Sequence, residues 1–210
     1  MRAMDESTQL IEGARELRLA LSTADAARLL QLLDELARWN RSYNLTAIRE
    51  RPEMITHHLL DSLSVRGDVR GATVADVGTG AGFPGLPLAI VDPGRHYTLI
   101  DSNNKKVRFV AHAARTLGVG NVTALHVRAE ALRPEAPFDT VIARAFAALP
   151  ELLERVRPLC GPGTRVLAMK GRRPEAEIAA IPLSWRLTET RTLEVPGLPE
   201  ARSLVVLERT

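Results

Sequence analysis

Cysteine occurs once in this chain of 210 residues, at Cys160. One thiol excludes an intramolecular disulfide and a thiolate zinc cage. A reducing, cytoplasmic setting is therefore the default expectation. No apolar run approaches the roughly 20 residues of a membrane-spanning helix, so no membrane partner is expected. The N-terminal segment, Met1-Arg-Ala-Met-Asp-Glu-Ser7, has acidic residues where a signal peptide needs an apolar stretch. Neither sign of charge dominates. A formal net charge of +3 permits a nucleic-acid partner without demanding one. Internal repeats and low-complexity tracts are also missing. The length suits one domain, or one domain with a small extension, and such a chain buries a full core without cross-links.

Two textures follow one another. Residues from about 5 to 70 read as helical. Ser22 or Thr23 stands where an N-cap is needed, with Asp25 in the first turn. Leu29, Leu32, Leu33, Leu36 and Trp39 then recur at helical spacing. Asn40–Asn44 is a polar break, and a further helix is expected from near Pro52 through His57 and His58 to about Val65. From about residue 72 the pattern alternates between strand and helix. The expected strands are Thr73–Val77, Tyr97–Asp101, Val122–Val127, Asp139–Ala143 and Arg165–Met169. Ser102 is expected to cap a helix that has Val107, Val110, Ala111, Ala114 and Leu117 on one face and ends at Gly118. Further helices are expected over about 147–159 and 174–180. The runs near 186–195 and 203–208 alternate like an antiparallel pair. The pattern predicts an α/β fold: a Rossmann-like, doubly wound sheet, mostly parallel with an antiparallel last strand. Residues 1–70 are expected to form a helical extension or cap, and residues 71–210 the cofactor-binding domain.

The most informative segment is Val74-Ala-Asp76-Val-Gly78-Thr-Gly80-Ala-Gly82-Phe83-Pro84-Gly85. A strand delivers an acidic residue, then three glycines at alternate positions, then a helix start. Such spacing lets the backbone turn tightly and lets a ligand lie on it. Read from Gly80, the segment also matches the dinucleotide fingerprint, but that match is weak by itself. Asp76 argues against it. A carboxylate facing a pyrophosphate at about 5 Å is repelled by roughly 3 kcal/mol at an effective dielectric near 20. S-adenosylmethionine has no phosphate and carries a sulfonium and an ammonium, so an acidic residue suits it. A dinucleotide, or a turn that binds nothing, are the alternatives.

In a doubly wound sheet the ligand lies across the carboxyl ends of the strands. That rule selects Asp76, Gly78, Gly80, Gly82 and Phe83 after the first strand. Asp101 ends the second strand, 23 positions beyond Gly78, where a carboxylate accepts ribose hydroxyls. Ala129 and Glu130 follow the third strand and meet the adenine edge. Arg144 follows the fourth, and Lys170 the fifth.

At this point the chain resembles a family, the bacterial 16S rRNA guanine-N7 methyltransferases (RsmG, or GidB). The matching segments are Tyr43-Asn-Leu-Thr-Ala-Ile-Arg49, His58-Leu-Leu-Asp-Ser62, Asp76 to Pro87, Leu99-Ile-Asp-Ser102, Arg144-Ala-Phe-Ala147 and Met169-Lys-Gly171. The resemblance implies a class I methyltransferase sheet behind a helical cap and S-adenosylmethionine as cofactor. It implies a guanine of the 530 loop of 16S rRNA, naked or in the small ribosomal subunit, as substrate. It implies cofactor contacts at Gly78, Phe83, Ala129, Glu130 and Arg144, and it favours Arg202 on the substrate side. Where the family has Ser before Arg-Ala-Phe-Ala, this chain has Ala143.

Guanine N7 has a lone pair and no proton to lose, so no general base is required. No Asn-Pro-Pro-Tyr motif follows the fourth strand, as adenine-N6 chemistry would want. Cytosine-C5 chemistry needs a cysteine nucleophile, and Cys160 sits on the amino side of the fifth strand. Arg144, Lys170 and Arg202 are expected to position the substrate. Arg172 and Arg173 continue the Lys170 loop, and Arg49 is a further candidate at the same mouth. Lys105, Lys106 and Arg108 form a second basic cluster, which an ordinary solvated helix face explains equally well. Phe146 suits base stacking or core packing. Adjacent His57 and His58 diverge by about 100° on a helix, so no metal is expected; a helix-to-sheet contact for His58 and Asp61 is. The alternatives are a methyltransferase for a small metabolite, with the helices as a lid, and a non-catalytic ribosome-assembly factor.

Overall fold

The computed structural model describes residues 5–210. Met1–Met4, part of the segment read above for targeting, lie outside the described residues. One seven-stranded sheet has the order β3-β2-β1-β4-β5-β7-β6. Its strands are β1 (Thr73–Val77), β2 (His96–Asp101), β3 (Val122–His126), β4 (Thr140–Arg144), β5 (Arg165–Lys170), β6 (Trp185–Thr192) and β7 (Ser203–Arg209). The first five are parallel; β7 pairs antiparallel with both β5 and β6. The expected sheet is present, with one refinement. The last strand of the sequence fills the place beside β5, and β6 takes the outer edge.

Strands β4 and β5 are apolar on both faces because helices cover both. On one face, α7 (Leu149–Val156) packs over Ala75, Val77, Val141 and Val166. The other face carries α5 (Gly85–Val91) and α6 (Asn104–Thr116), and outside them α1 (Glu6–Glu16) and α2 (Thr23–Tyr43). Leu29, Leu32, Leu33 and Leu36 of α2 are wholly buried in that layer. Each such leucine contributes roughly 1.5–3 kcal/mol, so α2 is bound firmly to the sheet's helical layer.

Ser22 caps α2 by accepting the Asp25 N–H. The cap of α6 differs from the expectation. Asn103, not Ser102, accepts the Lys105 N–H. Asp101 Oδ1 accepts the Asn103 N–H at 2.8 Å, an Asx turn that carries the chain one residue further before the helix begins.

Residues 51–63 form one continuous helical stretch: α3 (Arg51–Met54), a π-helical segment Ile55–Leu60, and α4 (Asp61–Leu63). The sequence predicts the helix but not its π character. A π-turn shifts the hydrogen-bond ladder from i−4 to i−5 and so leaves a carbonyl free. This stretch reaches the carboxyl ends of the strands, whereas α1 and α2 lie on the sheet's helical face.

Candidate active site

β1 and β4 are neighbours in the sheet, yet the chain leaves them toward opposite edges. Ligands of such sheets lie at that switch point. Two cavities flank it and share Ala145, whose φ is +50°. The first, ≈ 220 Å³, is lined by Gly78, Asp101, Ala129, Glu130 and Phe146 among others. The second, ≈ 370 Å³, is lined by His58, Asp61, Arg144, Lys170 and Arg202 among others. A larger cavity, ≈ 550 Å³, opens near the amino end of β2, away from these groups.

The glycine loop decides between a diphosphate and a sulfonium ligand. Gly78 and Thr79 N–H donate to Ile100 O at 2.9 and 3.1 Å, and Gly82 and Phe83 N–H donate to Thr79 O at 2.9 and 3.0 Å. Gly80 N–H donates to Asp101 Oδ2 at 2.9 Å, and Gly85 N–H to Asp76 Oδ2 at 2.8 Å. A pyrophosphate would find these amides engaged and the Asp101 carboxylate at the cavity wall. The donor set fits S-adenosylmethionine and not a dinucleotide. Gly78 is also sterically required. Its φ is +69°, and a Cβ there would lie 2.4 Å from the Phe146 ring.

Asp76 does not line either cavity. Strand alternation points it, like Val74, at the face covered by α5 and α6, and its side chain is fully buried there, 0% exposed. Oδ2 accepts the Thr79 hydroxyl at 2.6 Å as well as the Gly85 amide. The expected approach of Asp76 to the ligand is thus replaced by a latch on the loop that holds it. Burial pushes its carboxyl up from 3.8 to about 6, against the hydrogen bonds from Thr79 and Gly85. A raised native pKa means the folded state binds the extra proton, so this group's contribution to stability declines as pH rises from about 4 to about 6. Unfolding titrations of the wild type and Asp76→Asn should show this. The wild type is expected to lose roughly 3 kcal/mol relative to the variant across that window, and a pH-independent difference would refute the assignment.

The other expected cofactor residues divide. Gly78, Asp101, Ala129 and Glu130 line the first cavity together. Asp101 is 9% exposed and so keeps a carboxylate edge at its wall. Gly80 shapes that wall through its bond to Asp101. Gly82 lines neither cavity; a Cβ there would strike Leu86 at 2.4 Å, so its smallness serves the packing of the loop against α5. Phe83 lies outside both cavities, buried and stacked on His58 at 4.7 Å between ring centres. Arg144 lines the second cavity, not the first. Sequence reasoning missed Arg128 and Arg155 at the first cavity and placed Lys106, which also lines it, only in the second basic cluster. Arg155 comes from α7 and lies 5.5 Å from the Phe146 ring centre, a contact with no local sequence signal.

The second cavity is organised by Asp61, 1% exposed. Its Oδ2 accepts Arg144 Nη1 at 2.8 Å and its Oδ1 accepts Arg202 Nε at 3.2 Å. Arg144 Nη1 also donates to His57 O at 2.8 Å, a carbonyl within the π-helical segment. One carboxylate thus fixes two guanidiniums, and the unusual helix supplies a second acceptor. Lys170 lines the same cavity, but its ammonium donates to Ala147 O at 2.6 Å and pairs with Glu177 at 2.7 Å. With a side chain only 15% exposed, it anchors the 145–148 loop instead of offering the free cation expected of it. Arg173 pairs with Glu175. His58 Nε2 meets Thr46 Oγ1 at 3.0 Å, and His57 Nε2 lies 3.4 Å from Glu200, so the two imidazoles diverge. Burial and the nearby Arg144 charge push His58 down to about 3. Burial pushes the Cys160 thiol up to about 12, which leaves it a poor nucleophile.

Sheet order, switch-point cavities and the carboxylate-engaged glycine loop define a class I S-adenosylmethionine-dependent methyltransferase. Solved structures agree on the fold: TrmN from Thermus thermophilus aligns with a TM-score of 0.56 at 23% identity, over 74% of this chain and 53% of that one. The GidB family model, rRNA small subunit methyltransferase G, matches residues 25–205. "Ribosomal RNA small subunit methyltransferase G" of Ectopseudomonas mendocina is 46% identical over 204 residues, covering 96% of this chain and 95% of that protein. Its namesake in Aromatoleum aromaticum is 47% identical over 205 residues, covering 95% and 97%. The chain belongs to the GidB family of small-subunit ribosomal RNA methyltransferases.

Proposed function

We propose that this protein methylates N7 of a guanine in the 530 loop of 16S ribosomal RNA. The observation that carries the reading is the pairing of two cavities across one switch point. The first holds Asp101 and Glu130 among mixed charges and suits a nucleoside whose ribose those carboxylates can accept; the second presents Arg144 and Arg202 and suits an RNA nucleotide. Asp101 accepts ribose hydroxyls, and Ala129 and Glu130 meet the adenine. S-adenosylmethionine supplies an electrophilic methyl group when bound. Arg144 and Arg202 offer guanidinium N–H groups to guanine O6 and to phosphate. Holding N7 in line with the donor removes roughly 7–11 kcal/mol of a barrier by positioning alone. A neutral His58 stacked on Phe83 is a wall, not a proton acceptor, in agreement with a reaction that loses no proton. Of the helical region expected to cap the catalytic domain of residues 71–210, residues 51–63 cover the mouth, with His57 and Asp61 in the cavity wall, while α1 and α2 brace the sheet's helical layer. Among the described residues no helix is long and apolar enough to cross a membrane; a ribosomal substrate places the work in the cytoplasm.

Tritiated S-adenosylmethionine with undermodified small subunits, naked 16S rRNA or a metabolite extract tests the proposal. Label is expected in RNA, and nuclease digestion should release it as 7-methylguanosine. Label appearing only in small molecules would favour the metabolite reading and overturn this one.

A further inference from the structure

The surface beside the two cavities contains a feature that the chemistry above does not use. Tyr43, the last residue of α2, is 40% exposed. It is not a loose side chain. Its ring lies 5.3 Å from that of Trp39, and Trp39 lies 5.0 Å from His112 and 5.6 Å from Phe109 of α6. A fixed aromatic ring is therefore presented to solvent where α2 meets α6. Lys105, Arg108 and His112 follow at helical spacing on one face of α6, and the His112 contact turns that face toward α2. Lys105 and Arg108 are exposed and make no ion pair among the described residues. Arg38 on α2 and His112 are, by contrast, both held by the buried Glu35, each at 3.0 Å.

The chain leads from both ends of the seam to the two cavities. Lys106 lines the first, and Ile48, five residues beyond Tyr43, lines the second. We infer that the α2–α6 seam is a second RNA-contact surface, where single-stranded RNA flanking the target stacks a base on Tyr43 and lays its phosphates along Lys105 and Arg108. The inference rests on RNA being the substrate. An acidic protein partner would use the cations, but it has no need of a rigid exposed π-face on the same seam. Unpaired RNA offers stacking bases and phosphates together.

The test compares a long undermodified 16S fragment with a short oligonucleotide that holds only the target guanine and its immediate neighbours. Tyr43→Leu keeps apolar bulk and removes the π-face. It is expected to raise KM for the long fragment about tenfold, with kcat, affinity for S-adenosylmethionine and KM for the short substrate unchanged. Tyr43→Phe should behave as the wild type. Replacing both Lys105 and Arg108 by Gln should flatten the slope of log K against log salt for the long fragment by roughly 1.4. Wild-type binding and salt dependence in these variants would overturn the seam alone. Equal losses on both substrates would also overturn it, because they indicate a local structural role. Failure of the wild type to label any RNA would overturn the functional reading, and the seam with it.

Discussion

Asp101→Ala is expected to reduce affinity for S-adenosylmethionine by at least a hundredfold in titration calorimetry. The carboxylate has two tasks. Within the protein it accepts the Gly80 and Asn103 amides, which ties the glycine loop to the start of α6. In the proposed site its remaining lone pairs, at the wall of the first cavity, accept the ribose hydroxyls. Hydrogen bonds to a charged group contribute about 1.5–3 kcal/mol each. Two such bonds amount to roughly 3–6 kcal/mol, or 10²–10⁴ in affinity. The loop also loses its restraint, since the Gly80 amide is left without its acceptor. Asp101→Asn should lose less, because one oxygen remains to accept. The variant must still fold for the comparison to count, so ligand-free melting is the control. The thermal shift that the ligand produces in the wild type should vanish. Unchanged affinity in a folded Asp101→Ala protein would mean that the ribose sits elsewhere, and that the first cavity is not the cofactor site.

The place of Asp101 at the carboxyl end of β2 was legible in the sequence because its signal is local. It ends an apolar strand at a fixed distance from a glycine turn, and both features survive in one dimension. Most of the sheet was legible for the same reason: short apolar runs alternate with amphipathic stretches closed by Gly or Pro. Asp76 was half legible. Its place before the turn was clear, but its direction depends on strand alternation, and the residues that cover that face are set by tertiary packing. Lys170 was misjudged on similar grounds. A cation at a strand's carboxyl end looks free until Glu177 of α8 (Glu175–Ala179) folds back onto it. The choice of Asn103 over Ser102 as the α6 cap turned on a hydrogen bond from Asn103 to Asp101, since both residue types cap helices well. The π-helical segment had no readable signal. Ile55-Thr-His-His-Leu-Leu60 is compatible with an ordinary helix, and the contact that uses the altered ladder comes from Arg144, 87 residues after His57.

Asp61→Asn is the second change with a large expected effect, and it separates the two cavities. The substitution keeps size and one acceptor but removes the charge that two guanidiniums share. Leaving a buried ion pair without one partner costs about 3–5 kcal/mol. Arg144 and Arg202 are each about a fifth exposed in their side chains, so water screens part of that cost. About 2 kcal/mol of lost stability is a reasonable expectation. The functional loss should be larger. Two unneutralised cations held near one another repel and reorient, and a displacement of about 1 Å in a positioning group costs on the order of 10²-fold in rate. A fall in kcat/KM for RNA of roughly 10²–10³ is expected, with kcat affected at saturating RNA. Affinity for S-adenosylmethionine should stay within about threefold, because Arg144 faces the second cavity. Asp61→Glu restores the charge one methylene further out and should recover part of the activity. Combining Asp61→Asn with Arg202→Ala should cost little more than either alone, since residues that act as a unit are not additive. Additive losses would show that Arg202 works independently of Asp61. A loss of cofactor affinity as large as the loss in RNA turnover would show that the wall between the two cavities has been drawn in the wrong place.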